Sequence, residues 1–300
     1  MKTQNTSISD FRAVPVSNYL GETPVWSVAE QSLYWINCEK EAELHRWSPE
    51  TNAHKVWPMP ERIGGVALKR GGGAVVFLGS GLYDIDLASG ELSLRAASPL
   101  PPHVKLHECA TDRQGRLWVG AYDHDFTPEN RNPQGAAYLR LDGDKFIPEI
   151  TKINIANGLA FSPDGKRIYA ADSPSRQIFT YDLDPASGTL SGRRDFLTMP
   201  PEVGFLDGAT VDAEGGYWLS VMYGSALHRY LPDGTLDYVL NLPFSSPTKA
   251  VFGGPELDTL FITTTQMRVG NATPPGFELN GPVYALKTQF KGLEDTPMAV

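Results

Sequence analysis

The sequence predicts an all-β protein: a six-bladed β-propeller with four-stranded blades around a central channel. Two observations predict it, since a short motif recurs six times along the chain and an alternating, hairpin-like segment lies between successive copies. The composition agrees, because 29 Gly and 24 Pro in 300 residues supply many turns. We expect residues 1–300 to form a single propeller domain.

The recurring motif is a short apolar stretch, a polar turn with Asp or Gly, and an aromatic-rich β-stretch. Its copies occupy residues 25–37, 66–79, 109–121, 159–172, 209–221 and 250–264. The segments between them, such as IFTYDLDPASGTL at 178–190, alternate with the period of two that indicates strands. Each unit therefore contains four short strands, which is typical of a propeller blade. A solenoid is the competing repeat architecture, but its strands would be parallel and would not form hairpins.

Two further segments complete the predicted architecture. FRAVPV, at about 11–16, is expected to close the last blade and so remove an exposed strand edge. The segment 123–137, DHDFTPENRNPQGAA, is the longest interruption of the repeats and is a candidate lid.

Composition and charge exclude several functions. A net charge of −9 without clusters of Lys and Arg argues against binding to nucleic acid or to an anionic membrane. No apolar segment is long enough for a membrane span or a signal peptide, so a cytoplasmic location is expected. Cys38 and Cys109 are too few for a disulfide scaffold or a thiolate zinc site. We interpret Cys38 as a packing residue and expect no redox role for either cysteine. GxSxG, P-loop and HExxH motifs are absent from the sequence.

Polar residues stand immediately before the inner strand of each repeat, where a propeller would gather them at one mouth of the channel. Asn157-Gly158 is notable because only three residues separate it from a second turn signal at 162–165. Glu22, Asn157 and Asp207 occupy this place in the first, fourth and fifth repeats. Two carboxylates and an amide carbonyl suit a hard divalent cation. The alternative is that Asn-Gly and Asp-Gly are ordinary turns and that Glu22 is a solvated loop residue.

The other repeats place His107, Arg62 and Lys249 at the same mouth. His107 lies beside Lys105 and Glu108 and is a satisfied surface or core residue, a substrate contact or a metal ligand. As a ligand it would favour zinc, iron or manganese over calcium. Arg62 and Lys249 suit an anionic or polyhydroxylated substrate, unless they are simply solvated.

Four segments carry a resemblance to a known family: LGETPVWSVAEQSLYWIN, IANGLAFSPDGKRIYAADS, FLDGATVDAEGGYWLSV and SPTKAVFGGPELDTLFITT. The sequence resembles the regucalcin (senescence marker protein), gluconolactonase and luciferin-regenerating enzyme-like family of six-bladed propellers, over roughly 15–290. The resemblance implies that Glu22, Asn157 and Asp207 are metal ligands and that Asp207 also acts as the base. The family's substrate-contacting Arg-x-Asn-Asp segment appears here as Lys105-Leu106-His107-Glu108, with imidazole in place of the amide. Tyr122 and Asp125 correspond to another substrate-facing stretch.

The predicted function is metal-dependent hydrolysis of a sugar lactone to its aldonic acid, with one divalent ion (Ca, Zn, Mg, Mn or Fe(II)) as cofactor. The predicted substrate contacts are Lys105, His107, Glu108, Arg62, Tyr122 and Asp125. Two alternatives remain. One is hydrolysis of organophosphate esters with a similar oxygen-ligated cation, and the other is a non-enzymatic metal- or ligand-binding propeller.

Overall fold

Six sheets form the blades of a β-propeller in the computed structural model, which describes residues 1–127, 129–271 and 273–299. Within blades 1 to 4 the strands follow one another in chain order from the channel outward, and successive strands are antiparallel; blades 5 and 6 each add a strand from the N-terminal segment. The predicted fold class is confirmed. Short 3-10 helices occur at Ile8–Asp10, Pro201–Val203 and Phe277–Leu279.

The first three blades occupy the N-terminal half of the chain. Blade 1 consists of Gly21–Ser27, Ser32–Asn37, Glu43–Trp47 and His54–Pro58. Blade 2 consists of Ile63–Leu68, Ala74–Leu78, Gly81–Ile85 and Leu92–Ala97. Blade 3 consists of Val104–Thr111, Leu117–Asp123, Ala136–Asp142 and Lys145–Ile153.

The other three blades follow in the C-terminal half. Blade 4 consists of Ala156–Phe161, Arg167–Asp172, Gln177–Leu183 and Leu190–Thr198. Blade 5 contains Phe205–Val211, Tyr217–Met222, Ala226–Tyr230 and Leu236–Asn241. Blade 6 contains Pro247–Gly253, Thr259–Thr264 and Val283–Lys287.

The N-terminal segment supplies strands to two blades. Arg12–Val14 lies antiparallel to Val283–Lys287 and is the outer strand of blade 6, within the segment expected to close the ring. Lys2–Asn5 was not predicted; it pairs in parallel with Leu236–Asn241 and gives blade 5 a fifth strand. Its side chains are all exposed, so its sequence has no apolar alternation that would indicate a strand.

Hydrophobic clusters fill the spaces between neighbouring blades and close the ring. The cluster between blades 6 and 1 joins Val251 and Phe261 to Trp26 and Trp35, with Val14 of the N-terminal strand beside them. Corresponding clusters lie at the other five junctions. Burial of these aromatic and branched side chains is the main driving force that holds the blades face to face.

The C-terminal segment crosses one end of the channel. Gly292 pairs with Asp212 of blade 5, and Met298 pairs with Lys69 of blade 2. The Met298 side chain is buried between blades 2 and 3. A cavity of about 410 Å³ lies in this half of the channel, lined by the inner strands and by residues 293–297. No helix in the described part of the chain is long and apolar enough to cross a membrane.

Candidate functional site

The inner strand of every blade has a register irregularity at the segment that carries the predicted site residues. In blade 4, Asn157 pairs with Ala171 and Ala160 pairs with Tyr169, so that two residues face one across the ladder. Such a bulge bends the strand and redirects its side chains. The expectation that the site residues precede the inner strands is therefore corrected for most of them, because they lie within those strands; Arg62 directly precedes its strand, as expected.

Asn157-Gly158 forms this bulge and is not a hairpin turn. Gly158 has φ +69°, and a Cβ at this position would lie 2.5 Å from the Tyr217 hydroxyl, so the bulge requires glycine. Tyr217 donates a hydrogen bond to the Gly158 carbonyl (2.8 Å), and the Asn157 N–H donates to the Tyr138 hydroxyl (2.9 Å). These buried tyrosines satisfy backbone groups that the bulge removes from the ladder.

Glu22 and Asp207 are two buried carboxylates, 3% and 7% exposed, that interact electrostatically across the channel. Glu22 accepts a hydrogen bond only from the Thr23 N–H (2.9 Å), and no described side chain donates to either carboxylate. Burial raises the pKa of Glu22 to about 7, against the opposing effect of Lys249. Burial, and then the charge of Glu22, hold the pKa of Asp207 well above its usual range. Lys249 compensates the charge of this pair only in part, and a bound cation would supply further positive charge.

Four other buried carboxylates in the described part of the chain are saturated by protein donors. Asp212, for example, accepts hydrogen bonds from Trp218 Nε1 (2.8 Å) and Arg229 Nε (2.6 Å), as well as from two backbone N–H groups. Asp112, Asp123 and Asp172 are similarly occupied. Those residues stabilise turns and loops, whereas Glu22 and Asp207 have oxygens available for a ligand.

Ser173 determines which end of the Asn157 amide faces the channel. Its hydroxyl donates its single proton to the Leu206 carbonyl (3.0 Å), so its oxygen accepts from Asn157 Nδ2 (2.8 Å). The Asn157 carbonyl oxygen is then left free toward the channel. Glu22, Asn157 and Asp207 thus offer three oxygens that fit a hard divalent cation.

Glu108 and Lys249 form a buried pair beside these residues. Lys249 Nζ lies 3.6 Å from Glu108 Oε2, and the other Glu108 oxygen accepts the Leu159 N–H (3.2 Å). Burial raises the pKa of Glu108. Burial alone would lower the pKa of Lys249, but the neighbouring carboxylates outweigh this effect and raise its pKa. Both side chains are thus directed at each other inside the protein, and the expectation that they contact a substrate stays a prediction.

His107 and Arg62 meet in a third arrangement. Arg62 is held by Glu39 Oε1 (3.0 Å) and the Leu106 carbonyl (3.0 Å), and its NH2 lies 3.2 Å from His107 Nδ1. Because a guanidinium has only donors, Nδ1 of His107 is the acceptor and the ring proton resides on Nε2. Burial, with Arg62 next, lowers the pKa of His107 to about 3. His107 is therefore a neutral hydrogen-bond donor and has no free lone pair for a metal.

The remaining predicted contacts lie farther toward the surface. Tyr122 is half-buried, packs edge-on against His107 (6.0 Å between centroids) and stacks on His124 (4.4 Å). Lys105 is half-buried and pairs with Tyr122 across the ladder. Asp125 is exposed and lies 3.7 Å from His103 Nε2, at the start of the segment proposed as a lid.

A second group of possible ligands, His103, Asp123 and Asp125, lies in this same loop region. Both oxygens of Asp123 accept backbone N–H groups, from Asp125 (3.0 Å) and Gly135 (2.7 Å). Asp123 therefore organises the loop.

Sequence reasoning missed Ser173, Glu39 and the two tyrosines that support the bulge. Ser173 follows the second strand of blade 4 in an unremarkable Asp-Ser-Pro sequence, and Glu39 lies in a loop. Their roles depend on contacts between neighbouring blades, for which a single sequence contains no direct signal.

The family described as SMP-30/Gluconolactonase/LRE-like region matches residues 20–266. A 6-deoxy-6-sulfogluconolactonase of Pseudomonas putida is 34% identical over 278 residues, which cover 91% of this chain and 92% of that protein. A pentonolactonase of Haloferax volcanii is 32% identical over 84% of each chain. An L-arabinolactonase of Azospirillum brasilense is 29% identical over 97% of this chain and 94% of that protein.

Solved structures show the same architecture. A regucalcin from Agrobacterium tumefaciens, described as a calcium-binding protein, has a TM-score of 0.90 at 22% identity, with 99% of each chain covered. A luciferin-regenerating enzyme has a TM-score of 0.89 at 24% identity, with 96% of this chain and 97% of that chain covered. At these identities the likeness concerns the fold.

Proposed function

We propose, since the chain belongs to the SMP-30/gluconolactonase/LRE-like family, that it is a metal-dependent hydrolase that opens a sugar lactone to its aldonic acid. The observation that carries the proposal is the combination of Glu22, Asn157 and Asp207, whose side-chain oxygens accept no hydrogen bond from a described side chain. Curated relatives that cover most of the chain are named as lactonases of sugar acids, which supports the reaction class.

Glu22, Asn157 and Asp207 are the residues that would hold the cation. An all-oxygen donor set favours calcium, magnesium or manganese over zinc, and the hydrogen bond from Arg62 withdraws His107 Nδ1 from coordination. When bound, a divalent cation supplies Lewis-acid polarisation of the lactone carbonyl and compensates its developing negative charge.

The chain's own residues supply proton transfer and substrate orientation in this proposal. The oxygen of the attacking water forms a bond to the carbonyl carbon of the lactone. Asp207, whose pKa is raised by burial, accepts a proton from this water. The ring C–O bond then breaks, and the proton passes to the departing ring oxygen. His107 Nε2–H donates to a substrate oxygen, and the half-buried Tyr122 ring lies beside it as a flat apolar surface.

A substrate panel tests the proposed reaction. Purified protein is supplied with Ca²⁺, Mn²⁺, Mg²⁺ or Zn²⁺ and presented with five- and six-membered aldonolactones and, in parallel, with a phosphotriester, and acid release is followed at constant pH. We expect cation-dependent hydrolysis of at least one aldonolactone. Preferential hydrolysis of the phosphotriester would support the organophosphatase alternative, and no hydrolysis with any cation would support a binding function.

Substitution of Ser173 by Ala is expected to weaken cation binding by about 10- to 100-fold, because the Asn157 amide loses the partner that fixes its orientation. Isothermal titration calorimetry measures the affinity. Ser173→Thr retains the hydroxyl and should restore most of it. Equal affinities for the wild type and Ser173→Ala would show that the amide is oriented by other contacts.

A further inference from the structure

A buried ammonium group lies beside the three proposed ligands. Lys249 is 6% exposed, and among the described residues Arg229 is the other buried cation, paired with Asp212 in blade 5. Lys249 Nζ lies 3.6 Å from Glu108 Oε2 and donates to the Cys109 carbonyl at 3.4 Å. Its position inside the channel is therefore fixed by protein contacts.

The backbone next to Asp207 is shaped to admit the Lys249 side chain. A Cβ added to Gly208 would lie 2.7 Å from both Cβ and Cγ of Lys249, so any larger residue at this position would displace the lysine. Lys249 also exerts the strongest effect of any charged group on Glu22. The ammonium group thus acts on the carboxylates of both the first and the fifth blades.

The charges within this cluster can be counted. Glu22, Glu108 and Asp207 contribute three negative charges when ionised, and Lys249 contributes one positive charge, which leaves −2. Arg62 does not alter the balance, because its charge is offset by Glu39 at 3.0 Å. Asp295, which also acts on Lys249, does not alter it either, because Arg113 is the charged group with the largest effect on Asp295. A divalent cation neutralises this cluster, whereas a trivalent ion would leave an uncompensated positive charge in a poorly solvated site.

We propose that the Lys249–Glu108 pair sets the net charge of the ring and thereby determines its affinity for cations and its preference for divalent over trivalent ions. The inference rests on the proposed metal centre and assigns roles to two residues that do not ligate the ion. The number of charges around an oxygen-ligated site is a principal determinant of its cation affinity. In a buried site each added or removed charge has a large effect, because solvent screening is weak.

Three variants separate the charge of the pair from its packing. Lys249→Met removes the positive charge and changes the cluster from −2 to −3; Glu108→Gln changes it to −1; the double variant restores −2 with similar side-chain volumes. Lys105→Met is the matched control, because it removes a lysine charge from the same strand as Glu108 at a half-buried position outside the pair.

The measurement compares Ca²⁺ and Tb³⁺, ions of similar radius, by titration calorimetry and by competition. We expect Lys249→Met to raise the Tb³⁺-to-Ca²⁺ affinity ratio by about tenfold or more, and Glu108→Gln to weaken Ca²⁺ binding by a similar factor. The double variant should return both quantities to near the wild-type values. Circular dichroism and thermal melts establish which variants are folded.

An affinity ratio that shifts no more in Lys249→Met than in Lys105→Met would overturn the inference. If Lys249→Met does not fold, Glu108→Gln and the double variant still differ by one charge, and equal Ca²⁺ affinities in those two proteins would also overturn it. A wild-type protein that binds neither ion would refute the underlying metal centre instead.

Discussion

Asp207→Asn is expected to lower kcat/KM for lactone hydrolysis by about 10³-fold while the protein remains folded. Asparagine keeps the shape of the side chain but cannot accept the proton from the attacking water, and the substitution removes one of the two carboxylates proposed to hold the cation. Stability should not fall, because the lost carboxylate is buried, repelled by Glu22 and without a side-chain donor. Steady-state kinetics with excess Ca²⁺ and thermal melts measure the two effects.

Asp212→Asn is the matched control for Asp207→Asn. Asp212 is also a buried aspartate and directly follows the inner strand of blade 5, but its carboxylate accepts hydrogen bonds from Arg229 and Trp218. This substitution should reduce stability by roughly 3 kcal/mol and leave cation affinity near the wild-type value. If instead Asp207→Asn destabilised the protein without loss of turnover, Asp207 would be a structural residue and the proposed base would be wrong.

Removal of divalent ions is expected to have the second-largest effect, a loss of turnover to about one hundredth or less of the initial rate. Without a cation, Glu22 and Asp207 face each other in a buried site and nothing compensates the charge that develops on the carbonyl oxygen. Dialysis against EDTA followed by rate measurements tests this expectation. Readdition of Ca²⁺ or Mn²⁺ should restore activity. Full activity in protein shown to be metal-free by elemental analysis would contradict it.

The propeller could be predicted because each blade repeats the same local signals. The turns after Asp112 and Asp212 recur with a Trp six residues later, and in both blades the aspartate accepts a hydrogen bond from that Trp. Repetition of such a contact specifies one architecture for the whole chain. Lys2–Asn5 escaped prediction because it adds to a blade edge through backbone hydrogen bonds, with exposed side chains.

The sequence predicted which residues form the candidate site, but not the backbone geometry that directs them or the partners they contact. Their recurrence before each aromatic-rich strand indicated that Glu22, Asn157 and Asp207 share one end of the channel, but the bulges that direct them were read as turns or strand starts. The partners that decide each role lie in adjacent blades: Ser173 contacts Leu206, and Arg62 contacts His107. Such contacts between blades depend on the closed ring and leave no periodic signal in the sequence.

The most direct test is a crystal structure of the protein grown with Mn²⁺, with anomalous scattering used to locate the ion. The account predicts one strong anomalous peak coordinated by oxygens of Glu22, Asn157 and Asp207. A peak at His103 and Asp125 alone, or no peak at the channel at saturating Mn²⁺, would contradict it.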